Sequence, residues 1–123
     1  MNLVDSSGWL EYFANGKNAH FFAKPLEDIK NLIVPSICVF EVFKRVLQQR
    51  SEGEALRAIA AMQQGQVIPL DVPICLKAAK FSCDLKLPMA DSIILATAKA
   101  YHATIWTQDS DFKDMPEVRF IIQ

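Results

Sequence analysis

The chain has 123 residues, 51% of them hydrophobic and 22% charged, which suits one compact domain of ordinary globular composition. Thirteen Lys and Arg oppose fourteen Asp and Glu for a formal net charge of −1, which excludes a module that holds nucleic acid by electrostatics alone. No apolar run approaches the ~20 residues needed to span a bilayer.

The opening "MNLVDSSGWLEYF" has no basic leader and carries an acid at Asp5, so it is not a signal peptide and a cytoplasmic protein is expected. "NLVD" reads as a short buried strand, with Asp5, Ser6 and Ser7 as the cap of the helix "SGWLEYFA". Asn15-Gly16 closes that helix. A second helical piece covers residues 19–30, interrupted near Pro25. "NLIVPS" is a second buried strand. Residues 37–50 follow a helical pattern, with Phe40, Phe43 and Leu47 on one stripe and Glu41, Arg45 and Gln48 on the opposite, polar one.

"SEGE", at positions 51–54, is a capping box that opens a helix ending before Gly65. "QVIPL" reads as a third strand. Residues 74–85 form a helix with Ile74, Ala78, Phe81 and Leu85 inward. Pro88 restarts the chain into a helix over residues 89–102, and "ATIWT" and "VRFII" are the fourth and fifth strands. Short apolar strands without polar alternation, alternating with helices, predict a three-layer α/β/α domain around a mostly parallel sheet of four to five strands.

Cys38, Cys75 and Cys83 lack a CxxC spacing and read as reduced, mostly buried thiols. His20 and His102 are remote from them and from each other, so no zinc site is expected.

The acids carry more. In an open parallel sheet, ligands gather beyond the carboxyl ends of the strands. Asp5 and Asp109 fall at that edge after the first and fourth strands. Glu41 lies early in the helix after the second strand, and Asp91 heads the helix feeding the fourth, on the face of Ile94, Leu95 and Ala98. Each has an ordinary explanation: a helix cap for Asp5, the helix dipole for Asp91, an i, i+4 pair with Arg45 for Glu41, turn formation for Asp109 and Asp111. Four acids converging on one edge from four distant segments favour a shared cation. Two like charges ~4 Å apart repel by ~4 kcal/mol at an effective dielectric of 20, and hard oxygen donors suit Mg²⁺ or Mn²⁺.

The pieces "LVDSSGWLEYF", "VPSICVFEVFKRV" and "LPMADSIILATAKAYHATIWTQDSDF", with the closing strand, resemble PIN domains, and among them the VapC-type toxin ribonucleases of toxin–antitoxin pairs. The resemblance runs almost end to end and implies one PIN-like nuclease domain over residues 1–123. It implies a Mg²⁺- or Mn²⁺-dependent endoribonuclease with acidic ligands Asp5, Glu41, Asp91 and Asp109. Thr107 matches the family's hydroxyl residue beside the last acid, and Asp111 is a further candidate. An RNA substrate, a homodimer and a cognate antitoxin protein follow from the same resemblance, with no membrane association.

Lys44, Arg45 and Lys86 lie near these acids in sequence, either meeting RNA phosphates or as solvated surface cations. Trp9 and Trp106, among apolar neighbours, are expected in the core. Ile37, Phe40 and Phe43 fit either the core or a face for a second copy. Two other classes share some of these features. A phosphoacceptor receiver domain needs an aspartate ending the third strand, where "VIPLDVP" offers Asp71, and a paired acid beside Asp5, where Ser6 and Ser7 stand. A non-catalytic RNA- or protein-binding module on the same scaffold leaves RNA intact.

Overall fold

Apolar runs without alternation become strands here because both faces of the sheet are covered. The computed structural model describes residues 1–123. Its strands are β1 (Asn2–Val4), β2 (Leu32–Pro35), β3 (Gln66–Ile68), β4 (Thr104–Thr107) and β5 (Val118–Phe120). They form one sheet in the order β3-β2-β1-β4-β5, and every neighbouring pair is parallel. The helices are α1 (Ser6–Phe13), α2 (Ala19–Leu26), α3 (Ser36–Gln49), α4 (Glu52–Met62), α5 (Val72–Leu85) and α6 (Met89–Ala100).

The connections from β1 to β2 and from β2 to β3 step in one direction, so right-handed crossovers place α1 to α4 on one face. The connection from β3 to β4 steps back across the sheet and places α5 and α6 on the other. Packing agrees: α1 lies against α2 and α3, α3 against α4, and α5 against α6. The expected three-layer α/β/α architecture is what the chain adopts.

The core is built on the central strands, where Leu3, Val4, Ile33, Val34 and Ile105 are at most 2% exposed. Edge strands β3 and β5 are three residues each and partly open to solvent, short enough to give little template for pairing with another chain. Every α6 residue from Asp91 to Ala98 is buried, because α5, α3 and β4 all contact this helix. Close approach is built in at Gly8, where an added Cβ would lie 2.6 Å from the Phe22 ring and from Val4.

Several local signals act as expected. Ser51 accepts a hydrogen bond from the Glu54 N–H at 3.1 Å and starts α4. Asn15, at φ 52°, takes the left-handed conformation after α1. Trp9 and Trp106 are buried in the core. The second helix is shorter than residues 19–30: α2 ends at Leu26, one residue after Pro25, and a 3-10 turn follows at Ile29–Asn31.

Two expectations need correction, and one alternative left open on α3 is narrowed. On α3 the buried residues are Cys38 and Val42, while Phe40 is 61% and Leu47 44% exposed. The helix carries two apolar stripes, and the Cys38–Val42–Val46 stripe at i, i+4, i+8 packs inward. On α5, Leu85 is exposed rather than inward; Lys86 turns the chain at φ 56° and Leu87 takes the buried place. Of the cysteines only Cys38 is buried. Cys75 and Cys83 face solvent on α5, away from the Ile74 and Ala78 side.

Candidate metal centre

The sheet order reverses between β1 and β4, where Val4 and Trp106 are register partners. The Asp5 N–H extends this pairing by donating to the Trp106 carbonyl at 3.1 Å. Residues just past the two strands are thereby forced together at the carboxyl edge of the sheet, the position where open α/β sheets bind ligands. A cleft of about 440 Å³ opens there, and Asp5, Glu41, Asp91 and Asp109 all line it.

Three of these acids, Asp5, Glu41 and Asp109, arrive with their own support. Asp5 stands at the N-cap of α1 but makes no side-chain cap bond. Its Oδ2 instead accepts from the Thr107 hydroxyl at 2.8 Å and the Ser7 hydroxyl at 2.9 Å. Thr107 also accepts from the Asp109 N–H at 2.9 Å, so one buried hydroxyl ties Asp5 to the loop after β4. Glu41, from α3, accepts from the Ser6 hydroxyl at 2.6 Å. Asp109 Oδ1 accepts from the Asp111 N–H at 2.9 Å and caps the 3-10 turn Ser110–Phe112.

Asp91, Asp109 and Asp111 form the tightest set, with one carboxylate oxygen from each lying within 4.8 Å of the others. Asp111 therefore belongs beside Asp91 and Asp109. Asp5 and Glu41 occupy the same cleft, Asp5 tied to Asp109 through Thr107 and Glu41 held by Ser6. Lys44 and Arg45 line the cleft as well; Lys86 does not.

The electrostatics record the crowding. Burial, with the Asp109 charge next and then a hydrogen bond with Asp111, pushes the Asp91 carboxyl up to about 8. Asp5 is also raised, chiefly by burial; the Thr107 and Ser7 hydrogen bonds oppose this, and the Asp109 and Glu41 charges add to it. Just beneath, the Cys38 thiol is pushed far up by burial and stays protonated. A neutral buried thiol is no cation ligand, so the donors facing the cleft are hard oxygens. Two buried carboxylates, Asp5 and Asp91, that resist ionising in the bare protein, set among further acids and neutral hydroxyls, are the donor chemistry a hard divalent cation requires. The residues fit a hard divalent cation.

Two features escape a reading of the sequence. Ser6 and Ser7 read as cap residues, yet their hydroxyls hold Glu41 and Asp5; the signal was a pair of hydroxyls directly after an acid. Asn18, buried, donates from Nδ2 to Gln108 Oε1 at 2.9 Å and to the Ile122 carbonyl at 3.1 Å, bracing the loop after β4 against the start of α2. Nothing local in the sequence marks a bond between residues so far apart.

Fold and cleft together define a doubly wound α/β domain with an acidic pocket at its topological switch point. The chain belongs to the PIN domain family, whose match spans residues 3–118. Similar solved structures include a toxin–antitoxin complex from Klebsiella pneumoniae, at TM-score 0.81 and 23% identity over 97% of this chain and 96% of that one. VapC20 of Mycobacterium tuberculosis, a sarcin-ricin loop cleaving toxin, gives TM-score 0.78 and 18% identity over 97% and 99%. VapBC-1 of nontypeable Haemophilus influenzae gives 0.72 and 18% over 98% and 96%. At these identities the likeness is one of fold. No curated protein sequence matches the chain significantly.

Proposed function

We propose that this chain is a metal-dependent endoribonuclease and the toxin of a toxin–antitoxin pair, acting as a single PIN-like nuclease domain over residues 1–123. The observation that carries the reading is the meeting of Asp5, Glu41, Asp91 and Asp109 in one cleft at the switch point. Family membership and the toxin structures sharing the fold support it.

Asp91, Asp109 and Asp111 would hold the principal Mg²⁺ or Mn²⁺ ion, with Asp5 beside them and Glu41 completing the site. Such an ion supplies Lewis-acid stabilisation of charge on the scissile phosphate and lowers the pKa of the attacking water. The protein supplies position. Thr107 and Ser7 fix the Asp5 carboxylate, Ser6 fixes Glu41, and the Asp111 N–H fixes Asp109, so little reorganisation is needed when substrate arrives. Asp91, which holds its proton in the bare fold, would have to release it to serve as a cation ligand. In-line attack by water leaves 5′-phosphate and 3′-hydroxyl ends.

The partners in this reading are RNA, a cognate antitoxin that obstructs the acidic cleft, and a second copy of the chain. No helix is long and apolar enough to cross a membrane, and cytoplasmic action fits an RNA target. Against a receiver domain, Asp71 is already committed: its Oδ1 caps α5 by accepting from the Ile74 N–H at 3.0 Å.

The test is cleavage of RNA by purified protein in Mg²⁺ or Mn²⁺, with end analysis of the products. Wild type should cut and Asp91→Asn should not, while circular dichroism shows both folded. Expression should arrest growth, and Asp5→Asn or the co-expressed neighbouring gene should relieve the arrest. Intact RNA in both metals would leave only the non-catalytic binding module; undiminished cutting by Asp91→Asn would refute the site.

A further inference from the structure

The inference drawn from α3 rests on the nuclease reading and concerns how the cleft holds its polymer. RNA brings a negative phosphate with every nucleotide, and a cleft lined by four carboxylates repels all of them except where a cation sits. The chain's net charge of −1 supplies no general attraction. Purchase on the strand must come from the cleft wall, and the two cations lining it are Lys44 and Arg45.

Both lie on α3, in a stripe with Glu41 and Gln48 at i, i+3, i+4 and i+7, and all four line the cleft. At 1.5 Å of rise per residue, the cations begin about 5 Å along the helix from Glu41, and Gln48 follows at about 10 Å. One wall thus runs from acid to cations to a neutral amide. Phe40 lines the same cleft with its side chain 61% exposed. The Lys44 Nζ lies 5.8 Å from the centre of its ring. A ring this open contributes little to the core, and it stands next to the one pair of cations that faces the acids.

We propose that this wall positions the substrate, with the Phe40 ring stacking on an unpaired base while Lys44 and Arg45 grip phosphates adjoining the one that is cut. An aromatic face beside cations is the combination by which proteins hold single strands, since every base offers a π-face whatever its identity. In a duplex the bases stack on each other and offer Phe40 nothing. The wall therefore selects unpaired RNA at the cleft.

The test measures binding and cutting separately. Binding is read by anisotropy of a fluorescein-labelled, unstructured RNA, free or annealed to its complement, with Asp91→Asn protein in Mg²⁺. Adding Phe40→Ala should weaken single-strand binding about tenfold and leave duplex binding unchanged, and Phe40→Trp should restore it. A 2-aminopurine base in the strand should change its fluorescence on binding with Phe or Trp at position 40 and not with Ala. Lys44→Ala and Arg45→Ala should each flatten the salt dependence of log K by about 0.7. If Phe40→Ala binds and cuts like wild type, the wall is refuted while the nuclease stands. If the binding pattern holds and wild type cuts nothing, the wall stands and the nuclease does not. Weaker binding that coincides with dissociation of a dimer in sedimentation would overturn the proposal and assign the ring to an interface between copies.

Discussion

Thr107 donates its hydroxyl hydrogen to Asp5 Oδ2 at 2.8 Å, across the seam where β1 meets β4. The Thr107 side chain is fully buried, so the bond is shielded from competing water. Thr107 Oγ1 itself accepts from the Asp109 N–H, so the hydroxyl orients two acids from segments 104 positions apart, Asp5 and Asp109. Thr107→Val keeps the shape and removes the hydrogen bonds, leaving the Asp109 N–H without an acceptor. Unfolding in urea should register a loss of about 1–3 kcal/mol. RNA cleavage should fall in kcat with KM little changed, because the strand is held elsewhere. Thr107→Ser should recover most of both; a Val variant as active as wild type would remove Thr107 from the site.

The raised carboxyl of Asp91 makes stability depend on pH in a definite direction. In the bare fold this group holds its proton up to about 8, against 3.8 for a free side chain. The folded state therefore binds more protons than the unfolded state between those values, and stability falls as pH rises through that window. In EDTA, Tm should drop between pH 5 and pH 8, and Asp91→Asn should flatten the drop. A Mn²⁺ ion held by Asp91 would compete with the proton for the same oxygens, so it should raise Tm more at pH 8 than at pH 5. An EDTA melting curve that climbs with pH would contradict this assignment.

Much of this arrangement was legible in the sequence because it follows from two rules. Short apolar runs alternating with helices specify a parallel sheet, and acids just past strand ends or near the starts of the helices then fall on one edge. Asp5, Glu41, Asp91 and Asp109 were reachable in that way. The bonds that orient them were not, because Ser6 and Glu41 are 35 positions apart and meet only when α3 docks on α1. The inward face of α3 was illegible for a different reason: both of its apolar stripes satisfy the helical period, and docking, not periodicity, selects Cys38 and Val42. Asp111 lies two residues beyond Asp109, and only the 3-10 turn curls it back toward Asp91.

Two glycines should respond in opposite senses to the same substitution. A Cβ at Gly8 would lie 2.6 Å from the Phe22 ring and from Val4, both fully buried, so α1 must move off β1 to accept it. Gly8→Ala should destabilise by about 1–3 kcal/mol. At Gly53, inside α4, the nearest atom to a Cβ is the Ser51 hydroxyl at 4.0 Å. Gly53→Ala should stabilise by about 0.5 kcal/mol through lower unfolded-state entropy. Urea midpoints of the two variants, moving in opposite directions around wild type, are the expected result.

Ser6→Ala separates orientation of an acid from its presence. Ser6 Oγ donates to Glu41 Oε1 at 2.6 Å, and Ser6 is 7% exposed, so the bond is both short and sheltered. Without it Glu41 keeps its charge and its place on α3 but gains rotamers that swing the carboxylate away from the cleft. Groups that orient metal ligands contribute about 10–100-fold to affinity. Mn²⁺ titrated by calorimetry should bind Ser6→Ala more weakly by about that factor, and saturating Mn²⁺ should recover part of the lost cleavage. Glu41→Gln removes the charge itself, and saturating metal should recover less. Equal recovery in the two variants would mean that Ser6 serves α1 alone and that Glu41 needs no guide.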